Sequence, residues 1–212
     1  MEFIPSDIDQ YCVDHTTPEN DLLSKLNRET HAKVLQSRML SGHLQGRFLS
    51  MLSHMVQPKL ILEIGTYTGY SALCLAEGLA ENGKIITIDV NEELEDFVRG
   101  FFQQSSLNHK IDFRVGNALE IIPDITQEID IVFIDADKLN YANYYDLVFD
   151  KVRTGGYIIA DNVLWSGKVS NPAAKDKDTL SIRAFNDKLH TDTRVENILL
   201  PIRDGLMVVR KK

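Results

Sequence analysis

The sequence predicts an α/β protein built on a doubly wound, mostly parallel sheet with one antiparallel strand near its edge. Two observations support this fold class. From residue 58 onward, short apolar runs rich in β-branched residues alternate with amphipathic segments, as in successive β-α-β units. The last two apolar runs are separated by a turn sequence, Arg203-Asp204-Gly205, which indicates an antiparallel hairpin.

The first 57 residues contain no strand-like run. We expect residues 1–57 to form a helical extension of the core at 58–212, the whole chain being a single domain. One amphipathic helix is predicted near the N-terminus, with Thr17 as its N-cap and Pro18 at its first position. A second helix is predicted over 41–55, where apolar side chains recur mainly at spacings of three and four.

The core is predicted to alternate strand and helix along the chain. The predicted strands cover 59–64, 84–88, 111–115, 129–134, 157–160, 195–200 and 206–210. The predicted helices cover 72–80, 92–104, 118–122, 141–152 and 180–189. The polar stretch 166–178, rich in Lys and Asp, is predicted to be a loop.

Composition excludes several classes of protein. A net charge of -8 over 212 residues argues against a nucleic-acid-binding surface. The only two cysteines, Cys12 and Cys74, lie in unlike sequence contexts and indicate neither a disulfide framework nor a metal knuckle. No apolar run reaches membrane-spanning length, and the acidic N-terminus is unlike a signal peptide. We therefore expect a cytoplasmic protein without a membrane or nucleic-acid partner.

A charged cluster follows the most apolar run of the chain. The run 129–134 is too short for a typical helix and predicts a strand buried on both faces. It ends at Asp135, and Asp137 and Lys138 follow at once. Open α/β sheets bind ligands beyond the carboxyl ends of their strands, so these side chains are candidates for a functional site. The alternative interpretation is a solvated charged turn.

A second apolar run also ends in polar side chains. The run 156–160 is followed by Asp161 and Asn162, whose side chains can converge only if the chain has already turned out of the sheet. Together with Asp135 they would offer three oxygen ligands to a hard cation at one edge of the sheet.

A glycine loop follows the first predicted strand. Gly65 and Gly69 let the backbone turn and pass close to a ligand, but the loop lacks the G-x-G-x-x-G pattern of dinucleotide-binding proteins. Glu63 precedes the first glycine by two residues, and its carboxylate would repel a pyrophosphate but attract a cationic amino-acid ligand. The alternative is a glycine turn required only for packing.

Polar residues also end the next two strands. Asp89 ends the second strand, where an acidic side chain typically accepts hydrogen bonds from ribose hydroxyls. The alternative is a cap for the helix that begins near Glu92. Gly116-Asn117-Ala118 follows the third strand, on the edge that an adenine ring would reach.

These motifs together resemble the cation-dependent, S-adenosylmethionine-dependent O-methyltransferases, the family of caffeoyl-CoA and catechol O-methyltransferases and their bacterial relatives. The resemblance covers about residue 39 to the C-terminus. It implies a seven-stranded methyltransferase sheet of order 3-2-1-4-5-7-6 with the seventh strand antiparallel, and a homodimer. The motifs are Glu63-Ile-Gly-Thr-Tyr-Thr-Gly-Tyr-Ser71, Asp89, Phe133-Ile-Asp-Ala-Asp-Lys138 and Asp161-Asn-Val-Leu-Trp165.

The resemblance assigns a role to each matching residue. The metal ligands it implies are Asp135, Asp161 and Asn162, and the catalytic residue is Lys138. The cofactor contacts it implies are Met39, Ser41, Glu63, Gly65, Tyr67, Ser71, Asp89, Asn117, Ala118 and Asp135. Met39 and Ser41 match the N-terminal segment that closes over cofactor and substrate. One position departs from the family, because Asn117 stands where many members have an acidic residue.

The implied reaction moves a methyl group from S-adenosylmethionine to a hydroxyl of a small vicinal diphenol. A divalent cation would lower the pKa of the phenol and fix its geometry, with magnesium the first choice and manganese and calcium left open. Lys138 would take the phenol proton, the alternative being a surface lysine. Trp165 would stack on the acceptor, the alternative being an anchor for the loop. Tyr141, Tyr144 and Tyr145 are expected to pack their helix.

Two other functions stay open at this point. A nicotinamide-dependent oxidoreductase could use a similar sheet, although the missing G-x-G disfavours it. A non-catalytic S-adenosylmethionine-binding module would keep the fold without the chemistry, although the set of Asp135, Lys138, Asp161 and Asn162 argues against it.

Overall fold

The computed structural model describes residues 4–212, so the first three residues of the predicted helical extension lie outside the described residues. Seven strands form one sheet of order β3-β2-β1-β4-β5-β7-β6. The predicted fold class and strand order are both confirmed. The strands are β1 Leu60–Ile64, β2 Lys84–Asp89, β3 Ile111–Val115, β4 Ile129–Ile134, β5 Val152–Ala160, β6 Val195–Leu200 and β7 Leu206–Lys211.

Eight α-helices accompany the strands in the described part of the chain. They are α1 Ser6–Asp14, α2 Asp21–Lys33, α3 Gly42–Val56, α4 Tyr70–Ala76, α5 Glu95–Gln104, α6 Ala118–Ile121, α7 Tyr141–Phe149 and α8 Lys177–Thr191. Among residues 4–212, no helix combines the length and the apolar character that a membrane crossing requires. The described residues divide into two compact units, Ile4–Asn117 and Ala118–Lys212. The prediction of a single domain, made of a helical extension at 1–57 and a core at 58–212, stays a prediction.

The first unit carries the helical extension and the parallel strands β1 to β3. β1 pairs with β2 and β2 pairs with β3, both in parallel, so their carboxyl ends share one edge. Every residue of β1 is buried, which explains why the strand is apolar in sequence apart from Glu63. α4 ends at Ala76, four residues earlier than predicted. Gly78 follows two residues later and lies close to α3, where a Cβ would be 2.2 Å from the backbone nitrogen of His54.

The predicted cap of α2 is wrong. The helix begins at Asp21, and its N-cap is Asn20, whose side chain accepts a hydrogen bond from the backbone N–H of Leu23 at 2.9 Å. Asn20 is extended, with φ -70° and ψ 167°, as an N-cap residue usually is. The signal at Thr17 and Pro18 was therefore placed three residues too early.

The second unit carries the mixed half of the sheet. β4 and β5 are parallel, whereas β7 is antiparallel to both β5 and β6, so the predicted hairpin is confirmed. β5 begins at Val152 rather than near Tyr157, and α7 correspondingly ends at Phe149 rather than at Val152. Pairing of β5 with β4 is irregular near its start, where Gly155 has a positive φ of 78°. A glycine-containing irregularity interrupts the alternation from which a strand is predicted.

The predicted loop 166–178 contains more structure than expected. A 3₁₀ segment covers Trp165–Ser170, and α8 already begins at Lys177. Asp176 is the reason for the early start, because its carboxylate caps the helix by accepting from the backbone N–H of Thr179 at 3.1 Å. The unstructured part of the loop is therefore short.

Candidate active site

The glycine loop connects β1 to α4 in the first unit. Gly65 and Gly69 both adopt positive φ angles, 102° and 89°. At Gly69 a Cβ would also lie 2.6 Å from the ring of Phe102, so this glycine is required by packing as well as by conformation. Between them, Tyr67 also adopts a positive φ of 48°. The backbone N–H of Tyr67 consequently points away from the helix and toward the end of β2.

Asp89 at the end of β2 receives that N–H. Its Oδ2 accepts from the backbone N–H of Tyr67 at 2.6 Å, and its Oδ1 accepts from the backbone N–H of Asn91 at 2.9 Å. The helical turn after β2 is capped by Asn91 and not by Asp89, so the capping alternative is wrong. Each carboxylate oxygen can accept a further hydrogen bond. The side chain is thus fixed in a form that fits two ribose hydroxyls.

Glu63 lies beneath the loop and is fully buried. Its Oε2 accepts from the hydroxyl of Thr87 at 2.5 Å, and Thr87 in turn shares a hydrogen bond with the hydroxyl of Thr66. Thr87 on β2 thus contacts the carboxylate directly, and Thr66 of the loop acts on it only through Thr87. A buried carboxylate costs free energy that a bound cationic group would recover, as the sequence prediction requires.

The N-terminal segment approaches the same loop. The phenol of Tyr67 donates to the backbone carbonyl of Leu35 at 3.0 Å, just before the 3₁₀ turn Ser37–Met39. Met39 is 51% exposed, whereas Ser41 is buried. Within this unit Ser71 is buried in the first turn of α4, and Asn117 at the end of the unit is exposed. Ala118 is buried and opens the second unit as the first residue of α6.

The second unit places the predicted metal ligands after two paired strand ends. Ile134 of β4 and Ala160 of β5 are register partners, and the N–H of Asp161 donates to the carbonyl of Ile134 at 2.9 Å. Asp135 and Asp161 therefore follow neighbouring positions of adjacent strands, which lie about 4.8 Å apart in a sheet. Their side chains start from neighbouring points of the sheet, so both are candidates for ligands of one small cation.

The chain turns out of the sheet directly after Asp161. Asn162 has a left-handed φ of 59°, and its N–H donates to Asp161 Oδ1 at 2.7 Å. The backbone N–H of Val163 donates to the carbonyl of Gly205 at 3.2 Å, and position 205 requires glycine because a Cβ there would lie 2.5 Å from the side chain of Leu164. The predicted turn out of the sheet is thus present, so Asp161 and Asn162 need not face opposite ways.

The donor set fits a hard cation. Two carboxylates and an amide oxygen are the ligands that magnesium and calcium prefer. Among residues 4–212 no group of three or more His, Cys, Asp and Glu side chains is arranged to hold a metal ion. The predicted set has only two such side chains beside the amide of Asn162, and it stays a prediction.

Lys138 lies beside these carboxylates and is only 9% exposed. Its Nζ donates to Asp135 Oδ1 at 3.1 Å and to the phenol oxygen of Tyr141 at 2.5 Å. The Tyr141 hydroxyl donates in turn to the backbone carbonyl of Asp161 at 3.0 Å. Lys138 is therefore held in place by the end of β4 and by the start of α7, and the alternative of a surface lysine is wrong.

Tyr141 itself is fully buried, which raises its pKa well above the ordinary value, and the carboxylates of Asp135 and Asp161 raise it further. The phenol stays protonated at neutral pH. Its single proton points at a carbonyl, so the oxygen can only accept from Lys138.

The family of the chain follows from its sequence. The O-methyltransferase family matches residues 13–212. The chain belongs to the O-methyltransferase family. Among curated relatives, caffeoyl-CoA O-methyltransferase 1 of Arabidopsis thaliana is 38% identical, over 97% of this chain and 84% of the relative. A probable caffeoyl-CoA O-methyltransferase 2 of Dictyostelium discoideum is 33% identical, over 95% of this chain and 90% of the relative.

Solved structures agree with this assignment. An O-methyltransferase from Bacillus cereus in complex with SAH has a TM-score of 0.89 and 31% identity, with 97% of each chain covered. The methyltransferase PaMTH1 of Podospora anserina, also SAH-bound, has a TM-score of 0.90 and 27% identity, covering 98% of this chain and 94% of the other. The prediction of an S-adenosylmethionine-dependent O-methyltransferase is confirmed, and neither alternative function is favoured.

The structure of this O-methyltransferase brings several of the predicted site residues close together. Asp135, Asp161, Asn162 and Lys138 all follow the paired ends of β4 and β5, and Lys138 contacts Asp135, although their roles stay predictions. Asp137 does not join them, because it accepts from the phenol of Tyr144 and the amide of Asn140. The ring of Trp165 lies 5.9 Å from Lys138 Nζ, at the start of the loop.

Sequence analysis missed the role of Tyr141 in this O-methyltransferase. Tyr141 was expected only to pack its helix, and it does pack edge-on against Phe185 at 5.3 Å between ring centroids. Its hydroxyl, however, connects Lys138 to Asp161. The spacing of three residues from Lys138 across a helix start was the available signal, since such residues lie on one face.

Proposed function

We propose that this O-methyltransferase transfers the methyl group of S-adenosylmethionine to one hydroxyl of a small vicinal diphenol, of the catechol or caffeoyl type. The observation that carries the proposal is the buried Lys138, whose amine contacts both Asp135 and Tyr141. The names of the curated relatives, which are caffeoyl-CoA O-methyltransferases, support the acceptor class.

The reaction needs a divalent cation in this proposal, with magnesium preferred over manganese or calcium. Asp135, Asp161 and Asn162 would hold it. When bound, the cation would lower the pKa of the acceptor phenol and fix the two vicinal oxygens. Two vicinal oxygens and three protein ligands suit an octahedral ion that keeps one water.

Lys138 is the proposed general base. Its amine has two fixed partners, the Asp135 carboxylate and the Tyr141 oxygen, which leave one direction of the nitrogen for the acceptor hydroxyl. A low exposure of 9% keeps bulk water from competing for that direction. The geometry supports proton transfer from the acceptor, the step that turns a poor phenol nucleophile into a good one.

Most of the proposed contacts to the methyl donor come from residues of the first unit. Asp89 would accept from both ribose hydroxyls, and Glu63 would attract the cationic end of the cofactor. Gly65, Tyr67 and Ser71 line the loop between them, while the proposed lid residues are Met39 and Ser41. Asn117 and Ala118 are proposed to contact the adenine ring, and Asp135 is proposed to lie near the cofactor as well as to bind the metal.

Trp165 is proposed to stack on the acceptor ring. Its backbone is left-handed, with φ 48°. Its ring lies beside the Lys138 amine at 5.9 Å, where a methyl acceptor would have to sit.

We also propose a homodimer, for which the exposed Met51 and Met55 on α3 offer apolar surface.

A screen of methyl acceptors with mass detection tests the function. Catechol and caffeoyl-CoA are to be compared with their monohydroxy counterparts, phenol and a 4-coumaroyl thioester, in the presence of magnesium. We expect monomethylated products from the vicinal diphenols only, because only these offer two oxygens to one cation. Equal methylation of the monohydroxy compounds would overturn the proposed acceptor class.

A further inference from the structure

The guanidinium group of Arg183 on α8 donates four hydrogen bonds to a single short stretch of backbone. Nε donates to the carbonyl of Val169 at 2.9 Å, and Nη1 donates to that of Ala174 at 3.0 Å. Nη2 donates to the carbonyls of Lys168, at 2.8 Å, and Asn171, at 2.5 Å. One side chain thus collects four carbonyl oxygens from the seven residues 168–174.

This contact pattern adds to the local structure of the loop, in which residues 168–170 end the 3₁₀ segment. Carbonyls of loop residues usually bond to water and leave the loop free to change shape. A guanidinium holds its N–H donors in a fixed planar fork, so four acceptors gathered around it have fixed relative positions. A lysine at position 183 would keep the charge, but its three donors radiate from one nitrogen and cannot reproduce this arrangement.

Other contacts hold both ends of the same loop. At its start, Ser166 is left-handed with φ 53°, and its N–H donates to Asp204 Oδ1 at 2.5 Å. At its end, Asp176 caps α8 and lies 3.6 Å from Lys168 Nζ. Non-glycine residues adopt left-handed angles only when their surroundings enforce them, and such positions concentrate at ligand sites. The loop is therefore built to keep one shape.

The loop is also tied to the candidate active site within the second unit. Trp165, which opens it, has its ring 5.9 Å from Lys138 Nζ. The helix that carries Arg183 contacts the Lys138 turn as well, because the hydroxyl of Ser181 donates to the carbonyl of Lys138 at 3.0 Å. The amide of Asn186 on α8 donates to the carbonyl of Val163, directly after the Asp161 turn. The helix α8 thus contacts the loop, the turn that carries Lys138 and the turn after Asp161.

We propose that Arg183 is a positioning residue that holds the 168–174 segment as a preformed wall for the part of the acceptor beyond its diphenol ring. The inference deepens the proposed function and rests on it for the identity of the acceptor. A preformed wall spares the acceptor the entropy cost of ordering the loop. Loss of the clamp should therefore weaken binding of extended acceptors and leave the chemical step intact.

Hydrogen exchange tests the clamp without any substrate. Arg183→Lys keeps the charge, Arg183→Gln removes it, and Arg210→Lys is the control because Arg210 pairs with Glu196 on an exposed strand. We expect amides of residues 168–174 to exchange about tenfold faster in both Arg183 variants, since the loop opens locally, and at the parent rate in Arg210→Lys. Parental exchange of these amides in Arg183→Lys and Arg183→Gln would overturn the clamp.

Steady-state kinetics test what the clamp does for the acceptor. For Arg183→Lys we expect the KM for caffeoyl-CoA to rise about tenfold, with kcat and the KM for catechol changed less than about twofold. Equal changes for both acceptors, or a loss confined to kcat, would contradict a wall for the extended part. If the parent methylates neither acceptor, the proposed function fails, and hydrogen exchange alone then decides whether Arg183 orders the loop.

Discussion

The two units hold their acidic side chains in different ways. In the first unit both oxygens of Asp89 accept from backbone N–H groups, those of Tyr67 and Asn91. In the second unit Asp135 accepts from the amine of Lys138, which a buried phenol also holds. The partners of Asp89 are neutral and fixed by the backbone, whereas the partner of Asp135 is a titratable side chain.

This difference indicates two kinds of ligand. A carboxylate fixed by backbone N–H groups is ready for hydroxyl donors and needs no rearrangement when they bind. A carboxylate that contacts an amine must share its oxygen, or give it up, when a cation binds. Under the proposed function we expect S-adenosylmethionine affinity not to depend on the metal, whereas the contact between Lys138 and Asp135 is expected to change when a cation binds.

Removing a proposed metal ligand should have the largest effect. Asp161→Ala leaves two ligands, which hold magnesium poorly against its hydration shell. Methyl transfer should fall by at least about 1,000-fold, because metal catalysis supplies several kcal/mol of transition-state stabilisation. Calorimetric titration should find the affinity for S-adenosylmethionine unchanged. A parallel loss of cofactor affinity would contradict the separation of the two units' roles.

Lys138→Ala should come next. General bases contribute about 10² to 10⁴ in rate, so kcat should fall by that factor while metal affinity does not decrease, because Asp135 loses a competing partner. Lys188→Ala is the control, since that amine pairs with Asp146 on the surface. Stopped assays at saturating magnesium measure kcat. A parental kcat in Lys138→Ala would remove the lysine from the mechanism.

Asp89→Ala should affect the cofactor alone. Charge-assisted hydrogen bonds to two ribose hydroxyls should cost about 1.5–3 kcal/mol of S-adenosylmethionine affinity when they are lost. Asp112→Ala is matched to it, because Asp112 is an acid of the neighbouring strand that pairs with Arg114. Isothermal titration compares both variants with the parent. An unchanged affinity in Asp89→Ala would remove the ribose assignment.

Tyr141→Phe should have the smallest effect of this series. The variant keeps the packing against Phe185 but leaves Lys138 with the carboxylate as its only fixed partner. We expect kcat to fall about tenfold, as for the loss of one hydrogen bond of roughly 1.5 kcal/mol to a charged group. The KM for S-adenosylmethionine should not change. Tyr144→Phe, whose phenol contacts Asp137, should retain the parental kcat; equal losses in both variants would indicate a general packing defect.

Most of the fold was predictable because its signals are local. Buried parallel strands such as β1 and β4 are mostly apolar in sequence, with one acidic residue each, and a glycine or a polar residue follows them directly. For the same reason Asp89, Asp135 and Asp161 could be located, since a parallel sheet places the carboxyl ends of its strands on one edge. The predicted helix start was wrong where two local signals compete, since Thr17 and Asn20 are both plausible N-caps within four residues.

The hydrogen-bond partners of the site were less predictable. A tyrosine at position 141 of the sequence is expected to pack its helix. Only the short distance between its hydroxyl and Lys138 Nζ shows that the hydroxyl also takes part in a hydrogen bond. Arg183 has no local pattern at all, because it returns to carbonyls that lie 9 to 15 residues earlier in the chain. Such contacts depend on where a helix packs in the folded protein, and no local sequence pattern indicates that position.

The central claim is that the cation serves methyl transfer and not cofactor binding. The most direct measurement is methyl transfer to catechol in protein freed of metal by a chelator, with S-adenosylmethionine affinity measured by calorimetry on the same sample. We predict background transfer, parental cofactor affinity, and full recovery of transfer when magnesium is added in excess. Full methyl transfer by protein shown to be metal-free would contradict the account.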